Sequence, residues 1–165
     1  PVPVLIYNAP GFAGGVHIPR DTVAKLAEHP NIVGMKDSSP VGPAPFLSAL
    51  PESDNFAVLA GSINFFYTSL HLGAVGGIVS LANVLPEPIC QLHKYFMAGN
   101  YEQAKSLHFT LSKLNKAISG KGGVAAVKAA MNIKGLKGGE PRHPLVPLPA
   151  EQNAHIEIEL SKSGF

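Results

Sequence analysis

Charge, cysteine and tryptophan are scarce in this chain, and each scarcity narrows what it can be. Charged residues are 15% of the 165, net charge is +2, tryptophan is absent, and Cys90 is the one cysteine. One thiol excludes an intramolecular disulfide framework and a thiolate metal cluster. Its apolar surroundings predict a buried, inert side chain. The lysines are scattered without aromatic interleaving, so no nucleic-acid partner is expected. No uninterrupted apolar run reaches membrane-spanning length, so no membrane partner is expected either. The seven histidines, His17, His29, His71, His93, His108, His143 and His155, include no pair three or four apart. A helical metal pair is therefore missing, and most of these side chains are expected at the surface or at helix ends. No serine sits in a nucleophile-elbow motif. Gly73-x-x-Gly76-Gly77 lies at the start of a strand rather than between strand and helix, so it is not a phosphate loop.

What is present is a globular chain, 45% hydrophobic and long enough for one real core. Four apolar runs, at roughly 2–7, 31–36, 56–60 and 74–80, read as strands. Because they do not alternate, they predict strands buried on both faces, as in parallel sheets. Helical patterns lie between them. Pro19 opens one that carries Val23, Leu26 and Ala27 on a stripe, and 43–50 is a short one. Ser62 is placed to cap a third, with Phe65, Phe66, Ser69 and Leu70. After the fourth strand the pattern turns wholly helical: 86–98, 101–119 with Leu107, Leu111 and Leu114 on one face, 123–132, and about 149–162. Gly99-Asn100 is a stop-and-restart signal. The first half thus reads βαβαβαβ, an α/β layer. A (β/α)8 barrel needs eight strands and about 250 residues. The expected domains are a half barrel over 1–85, and the last barrel helix with a helical region over 86–165. An open four-strand sheet is the alternative. The first residue is Pro1 and the chain opens directly in a strand, as the middle of a longer protein does; any leader would lie upstream.

Two of the strands end in residues suited to carbonyl chemistry. Lys36 closes Ile32-Val-Gly-Met35. An amine at a buried strand end can shed its hydration and its proton, and a neutral amine attacks ketones to form a Schiff base. Taken alone, a strand-end lysine reaching into solvent is the commoner case. Tyr7 closes Val2-Pro-Val-Leu-Ile6, and a phenol beside such a lysine can shuttle protons. Asp37, Ser38 and Ser39 can hydrogen-bond a substrate carboxylate through hydroxyls and backbone N–H groups; the plainer reading is a βα turn. Gly61 ends the third strand. Gly76-Gly77 lies inside the fourth, where glycine often marks close approach of another backbone or a ligand.

Taken together, Tyr7-Asn-Ala-Pro10, Asn31-Ile-Val-Gly-Met-Lys-Asp-Ser38, Leu59-Ala-Gly61, Gly77-Ile-Val-Ser-Leu-Ala-Asn83 and the tail at 138–145 resemble the dihydrodipicolinate synthase and N-acetylneuraminate lyase family. The branch most resembled is that of the 4-hydroxy-2-oxoglutarate and 2-keto-3-deoxy sugar acid aldolases. The resemblance implies the second half, strands five to eight, of a (β/α)8 TIM barrel plus a C-terminal helical appendix. It implies Lys36 as the Schiff-base lysine and Tyr7 as the proton-relaying tyrosine. Gly61 and Ile78 match positions lining a pyruvate pocket, and Ser38 a residue that holds substrate. The implied activity is class I aldol cleavage or condensation of a 2-oxo acid with pyruvate as product or donor. It needs no metal or organic cofactor. The implied partners are a small 2-oxo acid and copies of the same chain. The expected compartment is the cytoplasm, with the mitochondrion as the alternative.

Two departures from the family pattern bear on this. The synthase branch carries an arginine in the loop after the tyrosine motif. Here that place falls at Phe12, which cannot clamp a second carboxylate, and an extra glycine at Gly14-Gly15 alters the loop. The Gly-Thr-Thr-like segment and second tyrosine of the relay belong to the first half of the barrel and are absent. Dihydrodipicolinate synthase itself is one alternative function. An inactive, truncated paralogue or fragment with a structural role is another. The 165 residues alone are expected to turn over little substrate.

Overall fold

The computed structural model describes residues 2–50, 55–120 and 122–165. They form two compact units, Pro1–Val79 and Ser80–Phe165.

In the first unit, β1 (Val4–Asn8), β2 (Ile32–Asp37), β3 (Ala57–Ala60) and β4 (Gly76–Gly77) alternate with α1 (Arg20–Ala27), α2 (Ala44–Leu47) and α3 (Ile63–His71). The strands are parallel and lie in sequential order, β1-β2-β3-β4. Pro19 precedes α1 with extended backbone, and Asp21 in its first turn complements the helix dipole. The Ser62 hydroxyl caps α3 by accepting from the Asn64 N–H at 3.3 Å.

Packing divides the sheet into two unlike faces. Val23, Met35, Phe46 and Val58 are buried together, with Ile6, Ile18, Leu47, Leu50 and Phe56 packed around them. Each such side chain contributes about 1.5–3 kcal/mol when fully buried. Strand alternation sends the neighbours of Ile6, Leu5 and Tyr7, to the other face, where they are 48% and 51% exposed. The expectation of strands buried on both faces therefore fails for β1: within this unit only one face meets helices. β4 is also shorter than expected. Two glycines bring no side chains to pack there, and a Cβ on Gly77 would stand 3.0 Å from both the Ala60 oxygen and the Phe66 ring. The pairing nevertheless runs on in the main chain, since the N–H groups of Val75 and Ile78 donate to the Val58 and Ala60 carbonyls.

The second unit begins with a 3₁₀ turn, Ser80–Asn83, followed by α4 (Pro86–Met97), α5 (Tyr101–Ile118), α6 (Gly123–Ile133) and α7 (Ala150–Ser163). The turn packs on α4 and α6, so residues 80–85 group with the helices. Gly99 stops α4: at φ 75° it donates to the Phe96 carbonyl while Asn100 donates to that of Tyr95. This is the left-handed exit glycine allows without strain. The inward stripe of α5 is Ala104, His108, Leu111, Leu114 and Ile118, while Leu107 is only half-buried. Most histidines are expected at the surface or at helix ends; His108 is instead carried inward by helical phase. Its burial pushes the imidazole below its ordinary value. Cys90, expected to be buried, is exposed. Ile89 and Leu92 take the inward positions of α4 and leave Cys90 on the outer side. Among the described residues no helix is long and apolar enough to cross a membrane.

Candidate functional site

β1 and β2 pair Tyr7 with Lys36 and Asn8 with Asp37. Register partners in a parallel pair point to the same side. Tyr7 and Lys36 therefore share the face away from α1 and α2, whereas Asn8 and Asp37 share the packed one. The Lys36 Nζ lies over the Tyr7 ring, 4.6 Å from its centroid. A cation held on an aromatic face at so open a site contributes about 0.5–1 kcal/mol. The larger effect is positional: amine and phenol, from residues far apart in the chain, occupy one spot on the sheet.

One level further toward the C-terminal ends of the strands lie Ser38, Gly61 and Ile78. Each donates its backbone N–H to the preceding strand: Ser38 to the Asn8 carbonyl at 2.8 Å, Gly61 to that of Asp37 at 2.7 Å, Ile78 to that of Ala60 at 2.9 Å. Counting on from the Leu59–Gly76 and Ala60–Gly77 pairs puts Ile78 on the Lys36 face, and it is 47% exposed. Gly61 has no room for a side chain. A Cβ there would stand 2.0 Å from the Ser38 Oγ and 2.4 Å from the Asp37 carbonyl oxygen. The Ser38 hydroxyl thus lies against Gly61 because position 61 is glycine. All five candidate residues sit on one face at one end of the sheet.

The turn after Lys36 takes the plainer of its two expected roles, that of a βα turn. Asp37 is fully buried and Ser39 nearly so. The Asp37 carboxylate accepts from the Asn8 amide at 2.6 Å and from the Ser39 hydroxyl at 2.8 Å, with the Ser39 N–H 3.3 Å away. Its side chain and the N–H groups of Ser38 and Ser39 are committed within the protein. Of the Asp37-Ser-Ser39 turn, the Ser38 hydroxyl is the group left to meet a carboxylate. Asp37 shapes its own turn instead. The Asn8 side-chain oxygen accepts from the Ile18 N–H at 3.1 Å and so ties down the far end of the loop that follows Tyr7. Phe12 is 84% exposed in that loop. Sequence reasoning passed over Asn8. Its signal is an amide one residue beyond a strand-end tyrosine, opposite an acid one residue beyond a strand-end lysine.

No group of three or more His, Cys, Asp or Glu side chains among the described residues is placed to hold a metal ion.

Comparison with known proteins gives the chain a family. The profile of the dihydrodipicolinate synthetase family matches residues 1–163. A 4-hydroxy-tetrahydrodipicolinate synthase from Methanospirillum hungatei is 35% identical over 162 residues, which are 98% of this chain and 55% of that protein. In structure, a dihydrodipicolinate synthase from Bacillus anthracis matches with a TM-score of 0.88 at 29% identity, over 98% of this chain and 55% of its own. KD(P)GA from T. tenax matches with a TM-score of 0.82 at 30% identity, over 99% and 56%. The chain spans about half the length of the curated relatives it matches. Its sequential parallel sheet and trailing helices are the second half, strands five to eight, of a (β/α)8 barrel with the C-terminal helical appendix. The chain belongs to the dihydrodipicolinate synthetase family.

Proposed function

We propose that the protein containing this chain is a class I aldolase that cleaves or forms a carbon–carbon bond in a 2-oxo acid, with pyruvate as product or donor. The observation that carries this is the pairing of Lys36 with Tyr7 on one face, amine over phenol ring at 4.6 Å. In the proposed reaction Lys36 adds to the 2-oxo carbon, and the carbinolamine loses water to give an iminium. The iminium accepts the electron pair of the breaking carbon–carbon bond, so an aldehyde leaves and an enamine of pyruvate remains. Protonation at its terminal carbon and hydrolysis then return Lys36 and release pyruvate. The Tyr7 hydroxyl moves the protons of the carbinolamine and of the departing aldehyde. Ser38 binds a substrate oxygen through its hydroxyl, while Gly61 and Ile78 shape the pocket wall. The lysine supplies the electron sink, so this reading calls for no metal or organic cofactor. A homo-oligomer is its expected form.

Within that class the substrate reading is a 4-hydroxy-2-oxoglutarate or 2-keto-3-deoxy sugar acid. Phe12 supports it, because an exposed apolar side chain offers nothing to a second carboxylate. The structural likeness to KD(P)GA from T. tenax points the same way. A second reading, 4-hydroxy-tetrahydrodipicolinate synthesis, is favoured by the names of the curated relatives.

The test is to treat the full-length protein with pyruvate and borohydride and to map the adduct by mass spectrometry. A pyruvyl group on Lys36 is expected; a protein that stays unmodified there loses the assignment. Comparing turnover of 4-hydroxy-2-oxoglutarate, a 2-keto-3-deoxy sugar acid, and pyruvate with aspartate semialdehyde then separates the two readings.

A further inference from the structure

Behind the reacting face lies a cluster of polar groups that the proposed chemistry does not use. Asn8 is 1% exposed, Asp37 0% and Ser39 3%. Burying an amide, a carboxylate and a hydroxyl together is costly unless each is hydrogen-bonded. Here they satisfy one another, through Asn8 to Asp37 at 2.6 Å and Ser39 to Asp37 at 2.8 Å. Apolar residues at these positions, like Met35 and Val58 lower on the same face, would pack without that requirement. What the polar cluster adds is direction. A hydrogen bond between partner residues of two strands is met in one register only, and a slip of one residue sends every side chain to the opposite face.

The cluster also reaches each element of the site. Asn8 and Asp37 immediately follow Tyr7 and Lys36 in the chain. The Asn8 carbonyl holds the Ser38 N–H and the Asp37 carbonyl holds that of Gly61. The Asn8 side chain secures Ile18, where the loop carrying Phe12 returns to the sheet. Two residues thereby touch, through one bond or one carbonyl, four of the five candidate site residues and the loop above them.

We propose that Asn8 and Asp37 are positioning residues: their buried side-chain bond fixes the register at the strand ends and so holds Lys36 over Tyr7. This rests on the reading of Lys36 and Tyr7 as the reacting pair, and it assigns Ser39 a supporting part in orienting the carboxylate.

The experiment uses the full-length protein with Asn8→Ala, Asp37→Ala and Asp37→Asn, each checked for a cooperative thermal transition above the assay temperature. Misplacing a reacting group by about 1 Å costs on the order of 100-fold in rate. The two alanine variants are expected to lose about that much in kcat and in the rate of borohydride trapping on Lys36, with KM moving far less. Asp37→Asn keeps the shape and can still accept from Asn8, so it recovers most of the loss. A second readout does not depend on the reaction. Reductive 13C-methylation of Lys36 gives an NMR signal displaced by the Tyr7 ring current, identified by its collapse in Tyr7→Leu. In Asn8→Ala and Asp37→Ala that displacement is expected to shrink while other methyl-lysine signals stay in place. Folded alanine variants that keep the displaced signal overturn the positioning claim, whatever the enzyme does. Folded alanine variants that keep kcat within about threefold also overturn it. Should the alanine variants fail to fold, Asp37→Leu, which fills the same space but accepts nothing from Asn8, takes their place: loss of the displaced Lys36 signal supports the claim, and a wild-type signal refutes it. If the unmodified protein forms no adduct on Lys36, the aldolase reading is what fails, and the NMR arm still decides the positioning claim.

Discussion

Tyr7 and Asn8 are neighbours on β1, Lys36 and Asp37 are neighbours on β2, and the two pairs live in opposite environments. Tyr7 is 51% exposed and Lys36 half-buried, whereas Asn8 and Asp37 are at 1% and 0%. On the open face an amine lies over an aromatic ring; on the closed face an amide and a carboxylate are locked at 2.6 Å. The same strand ends thus carry two kinds of polar residue one step apart. Those on the open side keep side chains able to change partners, as a covalent cycle requires. Those on the closed side have spent their hydrogen-bonding capacity on each other, on Ile18 and on Ser39, as a fixed frame requires. The alternation of a β-strand is enough to separate the two jobs.

Substitution should reveal that separation in graded form. The largest effect is expected from Lys36→Met, which deletes the amine: the pyruvyl adduct and turnover of the full-length protein both disappear, with its melting temperature little changed. Mass spectrometry beside a thermal scan checks both halves. Tyr7→Phe is next. It keeps the ring beneath the ammonium but removes the hydroxyl, so kcat drops roughly 100-fold while Schiff-base trapping persists, slowed. An unaltered kcat would remove Tyr7 from proton transfer. Gly61→Ala acts on the frame rather than the chemistry. Its Cβ would stand 2.0 Å from the Ser38 Oγ and 2.4 Å from a fixed carbonyl. A loss of about 1–3 kcal/mol in urea unfolding is expected, because the backbone cannot yield as the hydroxyl can.

The smallest effect lies in the helical unit and tests whether a closed-side polar group there behaves as a frame element too. Burial holds the His108 imidazole below its ordinary value of 6.5. As pH falls through that value the unfolded chain takes up a proton and the folded protein does not. Stability is therefore full above it and declines below it, until the folded imidazole titrates as well. Urea unfolding at about pH 7.5 and 5.5 should show the decline, and His108→Leu should flatten it. An unchanged slope in that variant assigns the pH dependence to other groups.

Much of this was readable from residue order. The βαβαβαβ pattern, the cap at Ser62, the stop at Gly99 and the four trailing helices follow from local chemistry that acts within a few residues. Lys36 and Tyr7 were legible for a related reason: each ends an apolar run, and strand ends of parallel sheets gather on one rim. What stayed hidden depends on a partner far away in sequence. The Asp37-Ser-Ser39 turn stayed open between a ligand cradle and a plain βα turn, because nothing within a few residues announces that Asn8 will claim the carboxylate. Cys90 and His108 sit in helices whose existence was clear but whose phase was not, and one step of 100° carries a side chain from inside to outside. β4 read as a seven-residue strand since apolar content does not reveal where ladder pairing gives way to a turn.

The three ladder bonds that pass beyond the strands have a further consequence. Ser38, Gly61 and Ile78 are each anchored by main-chain hydrogen bonds to Asn8, Asp37 and Ala60. At 38 and 78 the fold therefore asks only for an N–H, and the side chain is surplus to architecture. In the proposed reaction those two positions could vary, and with them the choice of aldehyde, without disturbing the frame that presents the lysine. Position 61 has no such latitude, so new specificities should arise around it rather than at it.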